Sequence, residues 1–523
     1  MQRLTVGWCL LLLGLVVAAP AAAHPADPDS GSLSPAGATP AEFGSDESAA
    51  PGAHGGTATT ANESVTDGDS LGCVDGICHD DTLNITQTDG LTDSERSRLV
   101  DRSMARVEVL RQAEFNRTVP VRVMTPTNFS QNQFATNATK SRFNRWNDQV
   151  WKALFVVGEN DSSEQAISDT FSGSVSGFYS PSRDEIVVVT RNTDHPRLSE
   201  GTLIHELTHA LQDQRFNLSA PRFRAETQDE TLAVKGLYEG VAAYTVARYN
   251  ERCADDRWGC VDTASTSGDG GQTNRAILMT LLQPYSDGPA YVHDIVTHEG
   301  WDAIDAKMRN PPQTTTEIIH QEPMATPKIT RTGEATAGWS RYPEQGRNGA
   351  DVAGEASIFV MFWYQAVTEG ADTIDPGVLY ETNGRYDRRN YAAPPSAGWA
   401  GDAIVPYRRG DENGYVWTLA WETPDDVTEF TRAYRAILDA HNATQTRPGV
   451  YVVEDGGFSG AYAIDTNNTR VRIVHAPTTD GLDELAPTLD PDSLPRERIP
   501  GFGVGVAVVA LVSATLIARR HAR

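Results

Sequence analysis

The stretch "LSEGTLIHELTHALQDQRF", Leu198 to Phe216, sets His205, Glu206 and His209 in the spacing H-E-x-x-H. Ser199 is a candidate N-cap, and Leu203, Leu207, Ala210 and Leu211 recur at helical intervals, so the segment reads as an amphipathic helix. Residues four apart lie one turn apart on the same helix face, so the two imidazoles can take adjacent vertices of a zinc tetrahedron. Glu206, turned by about 100°, can reach a water on the metal, whose pKa zinc lowers toward about 7, and accept its proton. The same spacing also arises by chance, and two histidines can simply sit on a helix surface, so the reading depends on a third ligand.

The segment "DETLAVKGLYEGVAAYTVARY", from Asp229, offers one on a second helix marked by Leu232, Leu237, Val241 and Tyr244. Glu239 is the expected third ligand, because the small Gly240 and Ala242 let a neighbouring helix come close; Glu230 is the competing carboxylate. A His₂Glu set leaves an open position for chemistry. Upstream, "GFYSPSRDEIVVV" reads as a hairpin whose second strand, Ile186 to Val189, precedes the metal helix. In zincin-like proteases the strand beside that helix pairs with extended substrate; for this strand that is an analogy, and an ordinary structural hairpin is the alternative. An oxyanion donor is also needed, and His320 in "PPQTTTEIIHQEP" is a candidate, with His293, His298 and Tyr238 as alternatives.

A net charge of −26 argues against nucleic acid as a partner. Only Lys140, Lys152, Lys235, Lys307 and Lys328 interrupt an otherwise arginine-based cation set. Such an acidic surface suits molar salt, which shortens the Debye length to a few ångströms, and points to a halophilic source.

Residues 1–23 read as a secretory signal, with Arg3, the apolar run "LTVGWCLLLLGLVVAA" and a small-residue cleavage site. Cys73, Cys78, Cys253 and Cys260 then form two local pairs in an exported chain, expected as disulfides 73–78 and 253–260. Sequons, including those at Asn84, Asn116 and Asn442, suit a glycosylated exterior. Residues 24–91, without lysine or arginine, read as a disordered acidic stalk. A capping pattern at Thr92 opens a metal-binding domain over 92–350. A mixed helix and strand subdomain spans 351–476, opening with "GEASIFVMFWYQ", where Glu355 reads as a carboxylate favoured by the helix dipole or as polar lining of a cleft. A linker follows over 477–499.

Residues 500–523 combine Pro500-Gly501-Phe502, an apolar run from Gly501 to Ala518 and terminal arginines. The run is long enough for a transmembrane helix. The segment also resembles the PGF-type C-terminal sorting signal of archaeal surface proteins, which implies processing by an archaeosortase and a lipid anchor. Either way the body faces outward.

The blocks "GFYSPSRDEIVVV", "LIHELTHALQDQRF", "LYEGVAAY", "PPQTTTEIIHQEP", "AGWAGDAIVPYR" and "WETPDDVTEFTRAY" resemble, in order, those of a haloarchaeal family of exported zincin-like surface metallopeptidases. The resemblance covers about residues 95 to 475. It implies an α+β, zincin-like, mainly helical core, Zn²⁺ on His205, His209 and Glu239, Glu206 as the base, and His320 in the pocket. The chain departs from the family at His320-Gln321, where relatives read H-P, and that departure bears on the role of His320. The expectation is an anchored cell-surface zinc metalloendopeptidase acting on peptide or protein substrates. The alternative is a non-catalytic surface or adhesion protein with a structural or vestigial zinc site.

Overall fold

The computed structural model describes residues 70–133, 142–171, 177–261, 273–322, 329, 337–382 and 384–486. The expected signal, most of the expected stalk, residues 487–499 of the linker and the C-terminal segment lie outside the described residues. The described residues are 47% helical and 18% strand, the mixed and mainly helical composition expected.

The chain opens with a hairpin, β1 (Cys73–Val74) and β2 (Ile77–Cys78), closed by the Cys73–Cys78 disulfide. Helix α1 (Asp93–Arg111) follows, with Thr92 and Glu95 forming the capping box that the sequence shows. Residues 70–91 are therefore a correction to the stalk: Val74, Leu83 and Leu91 are buried, and the Gly72 N–H donates to Glu108 of α1. The average composition of this stretch is that of a linker, but a disulfide and three buried apolar side chains fix it to the body.

Strand β3 (Val121–Met124) and helices α2 (Pro126–Gln133), α3 (Arg142–Ala153) and α4 (Ser163–Phe171) lead to β4 (Gly177–Ser180) and β5 (Glu185–Val189). The last two form the expected hairpin, but the sheet order is β3-β5-β4. The strand β5 is central, paired with both neighbours, so its backbone has no free edge for a substrate. The edges of this sheet are β3 and β4, and β4 is buried along its length.

Helix α5 (Glu200–Phe216) carries the H-E-x-x-H segment, and Ser199 caps it through the Thr202 N–H. Glu200, at its first position, is buried and accepts hydrogen bonds from Arg102 and Arg106 of α1. Helix α6 (Gln228–Ala254) is capped by Thr227, and its Tyr249 hydroxyl also donates to Glu200. One buried carboxylate thus ties α1 and α6 to the start of α5. The second disulfide, Cys253–Cys260, closes the end of α6.

Helix α7 (Arg275–Glu299) crosses α6 where both chains have glycine. A Cβ on Gly240 would lie 2.6 Å from the carbonyl of Gly288, and one on Gly288 would collide with the carbonyl oxygen of Gly236. The small residues beside Glu239 therefore admit α7, while Glu239 itself turns to α5. Helices α8 (Trp301–Arg309) and α9 (Thr315–His320) complete this half, with Ile318 packed on Gly236.

Strand β6 (Ser340–Arg341) and helix α10 (Gly354–Thr368) precede β7 (Trp399–Arg409), β8 (Glu412–Trp421) and α11 (Pro424–Ala440). Strands β9 (Thr444–Arg447), β10 (Val450–Val453), β11 (Gly460–Asn467) and β12 (Arg470–Ala476), then α12 (Thr479–Leu485), end the described chain. The seven strands form one antiparallel sheet, β6-β7-β8-β12-β11-β10-β9. The expected break at 350/351 does not separate two cores: Trp146, Trp151 and Phe155 share a cluster with Phe359, Phe362, Trp399 and Trp417. Residues 477–486 are likewise not linker, because Leu482 and Leu485 of α12 pack beneath the sheet.

Candidate metal centre

Helical periodicity places His205 and His209 one turn apart on α5, and α6 delivers Glu239 to the same point. The Nε2 atoms of the two histidines are 3.2 Å apart, and each lies 3.1–3.2 Å from Oε2 of Glu239. Ligand atoms about 2.0–2.1 Å from a zinc ion at tetrahedral angles are separated by roughly 3.3 Å. The three atoms form a near-equilateral triangle of that size, so the donor set fits one face of a zinc site. It is the group of His, Cys, Asp and Glu side chains that could hold a metal ion among the described residues.

The surroundings fix both the geometry and the protonation. His209 Nδ1 lies 2.9 Å from Oε1 of Gln212, whose amide nitrogen donates to the Tyr238 carbonyl. Because the amide nitrogen is committed to Tyr238, Oε1 faces the ring and accepts from Nδ1–H, leaving the Nε2 lone pair for the metal. Tyr238 meets the His209 ring edge-on, and Tyr285 of α7 lies parallel over His205. Burial disfavours a charged His209, but the Glu239 carboxylate outweighs it and carries the imidazole up to about 9. Burial likewise raises Glu239, and the two histidines overcome it, holding the carboxyl well below its usual range.

Glu206 projects from the next position of α5 into the edge of the small sheet. Its Oε2 accepts the Tyr179 N–H of β4 at 2.8 Å, while Oε1 is buried with no protein partner. Burial is the largest influence on this carboxyl and raises its pKa. A buried carboxylate oxygen left unpaired costs free energy on the order of 1–3 kcal/mol, so it marks a place where another group belongs.

The structure brings together His205, His209, Glu239 and Glu206, and it separates the competitors. Glu230 pairs with Arg347 at the start of α6. His320 ends α9, and its Nε2 lies 2.8 Å from Glu355, so among the described residues it is bonded to that carboxylate and makes no hydrogen bond to the histidine pair. Glu355 is fully buried at the start of α10 and is the ion-pair partner of His320, beyond a simple dipole role. His293 packs on Tyr386 and His298 pairs with Asp294 at the surface. Sequence reasoning missed Gln212, three residues beyond His209 on the same helix face, and Tyr179, whose contribution is a backbone N–H that no motif displays.

Residues 499–521 match the PGF-CTERM motif. The chain is thus an archaeal surface protein, exported and anchored at its C-terminus. Residues 340–486 match a domain of unknown function, DUF8575, and those bounds coincide with the seven-stranded sheet and its helices. No curated protein and no solved structure matches the chain. No helix among the described residues is long and apolar enough to cross a membrane.

Proposed function

We propose that this protein is a cell-surface zinc-dependent endopeptidase with a zincin-like arrangement. The observation that carries the reading is the convergence of two imidazole nitrogens and one carboxylate oxygen at 3.1–3.2 Å, beside a second, buried carboxyl, Glu206, that holds one oxygen unpaired. His205, His209 and Glu239 would hold the ion. Zinc bound there supplies Lewis acidity, polarising a carbonyl and lowering the pKa of water toward about 7.

The chain's own groups do the rest. Tyr179 N–H steadies Oε2 of Glu206, leaving Oε1 to take a proton from water and pass it to the leaving amine. Gln212 keeps the His209 tautomer fixed. The edge strand β4, buried along its length, lies beside α5 and holds Glu206 in place for a peptide or protein substrate.

One observation favours a second reading, a closed structural zinc site in a non-catalytic surface protein: His205 is 4% exposed and the other ligands no more than 1%. The buried, half-unpaired Glu206 weighs against it, since a structural site has no use for a proton acceptor. The test is the zinc content and peptide hydrolysis of the full chain in molar salt beside His205→Ala. About one zinc per chain and hydrolysis, both lost in the variant, support the proposal. A folded wild-type protein without zinc overturns both readings, and zinc without hydrolysis of a peptide library favours the structural one.

A further inference from the structure

Tyr179 of β4 is held at both ends by one helix. Its backbone N–H donates to Oε2 of Glu206, and its hydroxyl oxygen lies 2.9 Å from Oδ2 of Asp213. Both carboxyls belong to α5, seven residues apart, which is two turns on the same face and about 10 Å along the axis. The buried tyrosine runs along that interval, between the strand and the helix.

The hydroxyl meets a second acid as well: Oδ1 of Asp184, in the turn between β4 and β5, is 2.7 Å away. A phenol has one hydrogen, so it cannot bond fully to two ionised carboxylates, and two such charges around one oxygen repel. Arg117 pairs with Asp184 and balances its charge. Asp213 makes no ion pair among the described residues, and its Oδ1 accepts the Leu218 N–H. The geometry is satisfied when Asp213 carries a proton on Oδ2 and donates it to the phenol oxygen, which in turn donates to Asp184. Burial is the largest influence on Asp213 and raises its pKa, in keeping with that proton. Burial, then the two acids, raise the phenol, so it keeps its hydrogen.

We propose that Tyr179 is a positioning residue for Glu206, braced at its hydroxyl end by a protonated Asp213 and by Asp184. The inference rests on the peptidase reading above, since the brace holds the proposed base. The Tyr179 N–H fixes Oε2 of Glu206, so drift of β4 along α5 would carry the carboxyl with it. Misplacement of a reacting group by about 1 Å costs up to about 10²-fold in rate. The hydroxyl tie, two turns down the helix from Glu206, opposes that drift.

The full chain in molar salt is compared with Tyr179→Phe, Asp213→Leu and Asp213→Asn. Tyr179→Phe keeps the N–H that Glu206 accepts and removes only the tie. It is expected to lower kcat by about 10–10²-fold with KM and zinc content unchanged, and Asp213→Leu to do the same. Asp213→Asn is the rescue: its Oδ1 still accepts the Leu218 N–H and its amide N–H donates to the phenol oxygen, as the protonated acid does, so most of the wild-type kcat remains. Wild-type kcat in Tyr179→Phe overturns the brace and leaves the peptidase standing. A loss in Asp213→Asn as deep as in Asp213→Leu overturns the proton assigned to Asp213. If the wild type binds zinc but hydrolyses nothing, the cobalt(II)-substituted protein is titrated instead. The pH midpoint of its visible spectrum, set by the metal-bound water and Glu206, should shift in Tyr179→Phe and hold in Asp213→Asn, and equal midpoints in wild type and Tyr179→Phe overturn the brace. A folded wild type that holds no metal ends the peptidase reading and this inference with it.

Discussion

The backbone N–H of Tyr179 donates to Oε2 of Glu206 at 2.8 Å, so the edge of the small sheet grips the carboxyl that stands between the two histidines in sequence. The grip uses one oxygen and leaves the other, Oε1, buried and unpaired on the same group. A carboxyl held this way can change its protonation without changing its position.

Glu206→Gln keeps a carbonyl oxygen to accept the Tyr179 N–H but has no site for a proton. The variant is expected to bind zinc as the wild type does and to lose peptide hydrolysis by about 10²–10⁴-fold, the range for a general base. Zinc by elemental analysis and initial rates check this together. A zinc-loaded Glu206→Gln with wild-type rates would remove Glu206 from the chemistry.

Gln212 is the group that orients His209, through Nδ1 at 2.9 Å and a second bond to the Tyr238 carbonyl. Gln212→Leu is expected to weaken zinc binding about 10–100-fold, as for other partners that set a ligand's tautomer. Chelator competition reads the affinity, and Gln212→Glu, which still accepts from Nδ1–H, should recover part of it. An unchanged affinity in Gln212→Leu would mean that helix packing alone positions the ring.

The local part of this site is legible in the sequence because it obeys helix geometry: Ser199 caps α5, four-residue spacing aligns the histidines, and Glu239 lies on a second strongly periodic segment. What crosses the chain is not. The Gly240–Gly288 approach joins residues 48 apart, and nothing around Gly288 announces its partner. His320 reads as a histidine without a companion until α10 brings Glu355 against it from 35 residues away. Strand order is similarly hidden: the "DEIVVV" segment is the more apolar half of its hairpin because it is central, and the same apolar character drew attention away from the edge strand β4. Residues 70–91 differ for another reason, since three buried apolar side chains and a disulfide hardly alter a composition average.

Gly288→Ala tests the helix contact that supports Glu239 and Tyr285. The added Cβ meets the Gly236 carbonyl oxygen and lies 2.9 Å from the Gly240 Cα, all backbone, so α7 must move away from α6. Overpacking of this kind costs about 1–3 kcal/mol. Denaturant midpoints should fall accordingly, and zinc affinity should fall with them because both helices border the triad. Gly384→Ala, at an exposed position where a Cβ meets no neighbouring atom within 4 Å, serves as the control for zinc binding. Equal zinc affinity in Gly288→Ala and wild type would show that the helix contact does not set the ligand geometry.

His475 of β12 gives the fold a dependence on acid that is separate from the metal centre. It is 1% exposed, stacked on Tyr415 and against Tyr462, with the Ser459 backbone beside its ring. Burial, with Lys152 nearby adding to it, drives its pKa well below 6.5. The unfolded chain takes up a proton near pH 6.5 that the folded chain refuses, so its contribution to stability is complete above about pH 6.5 and is lost as pH falls through the folded value. Asp229 and Asp351 act in the opposite sense: burial raises both to about 7, so their contribution is complete below about pH 4 and is lost as pH rises toward 7. The comparison of wild type with His475→Gln, at constant molar salt, isolates the histidine. Between pH 5 and 8 the variant's stability, by denaturant unfolding, should fall less on acidification than the wild type's. Identical pH slopes would mean that the unfolded and folded chains protonate His475 alike, which the burial of its ring between two tyrosines does not allow.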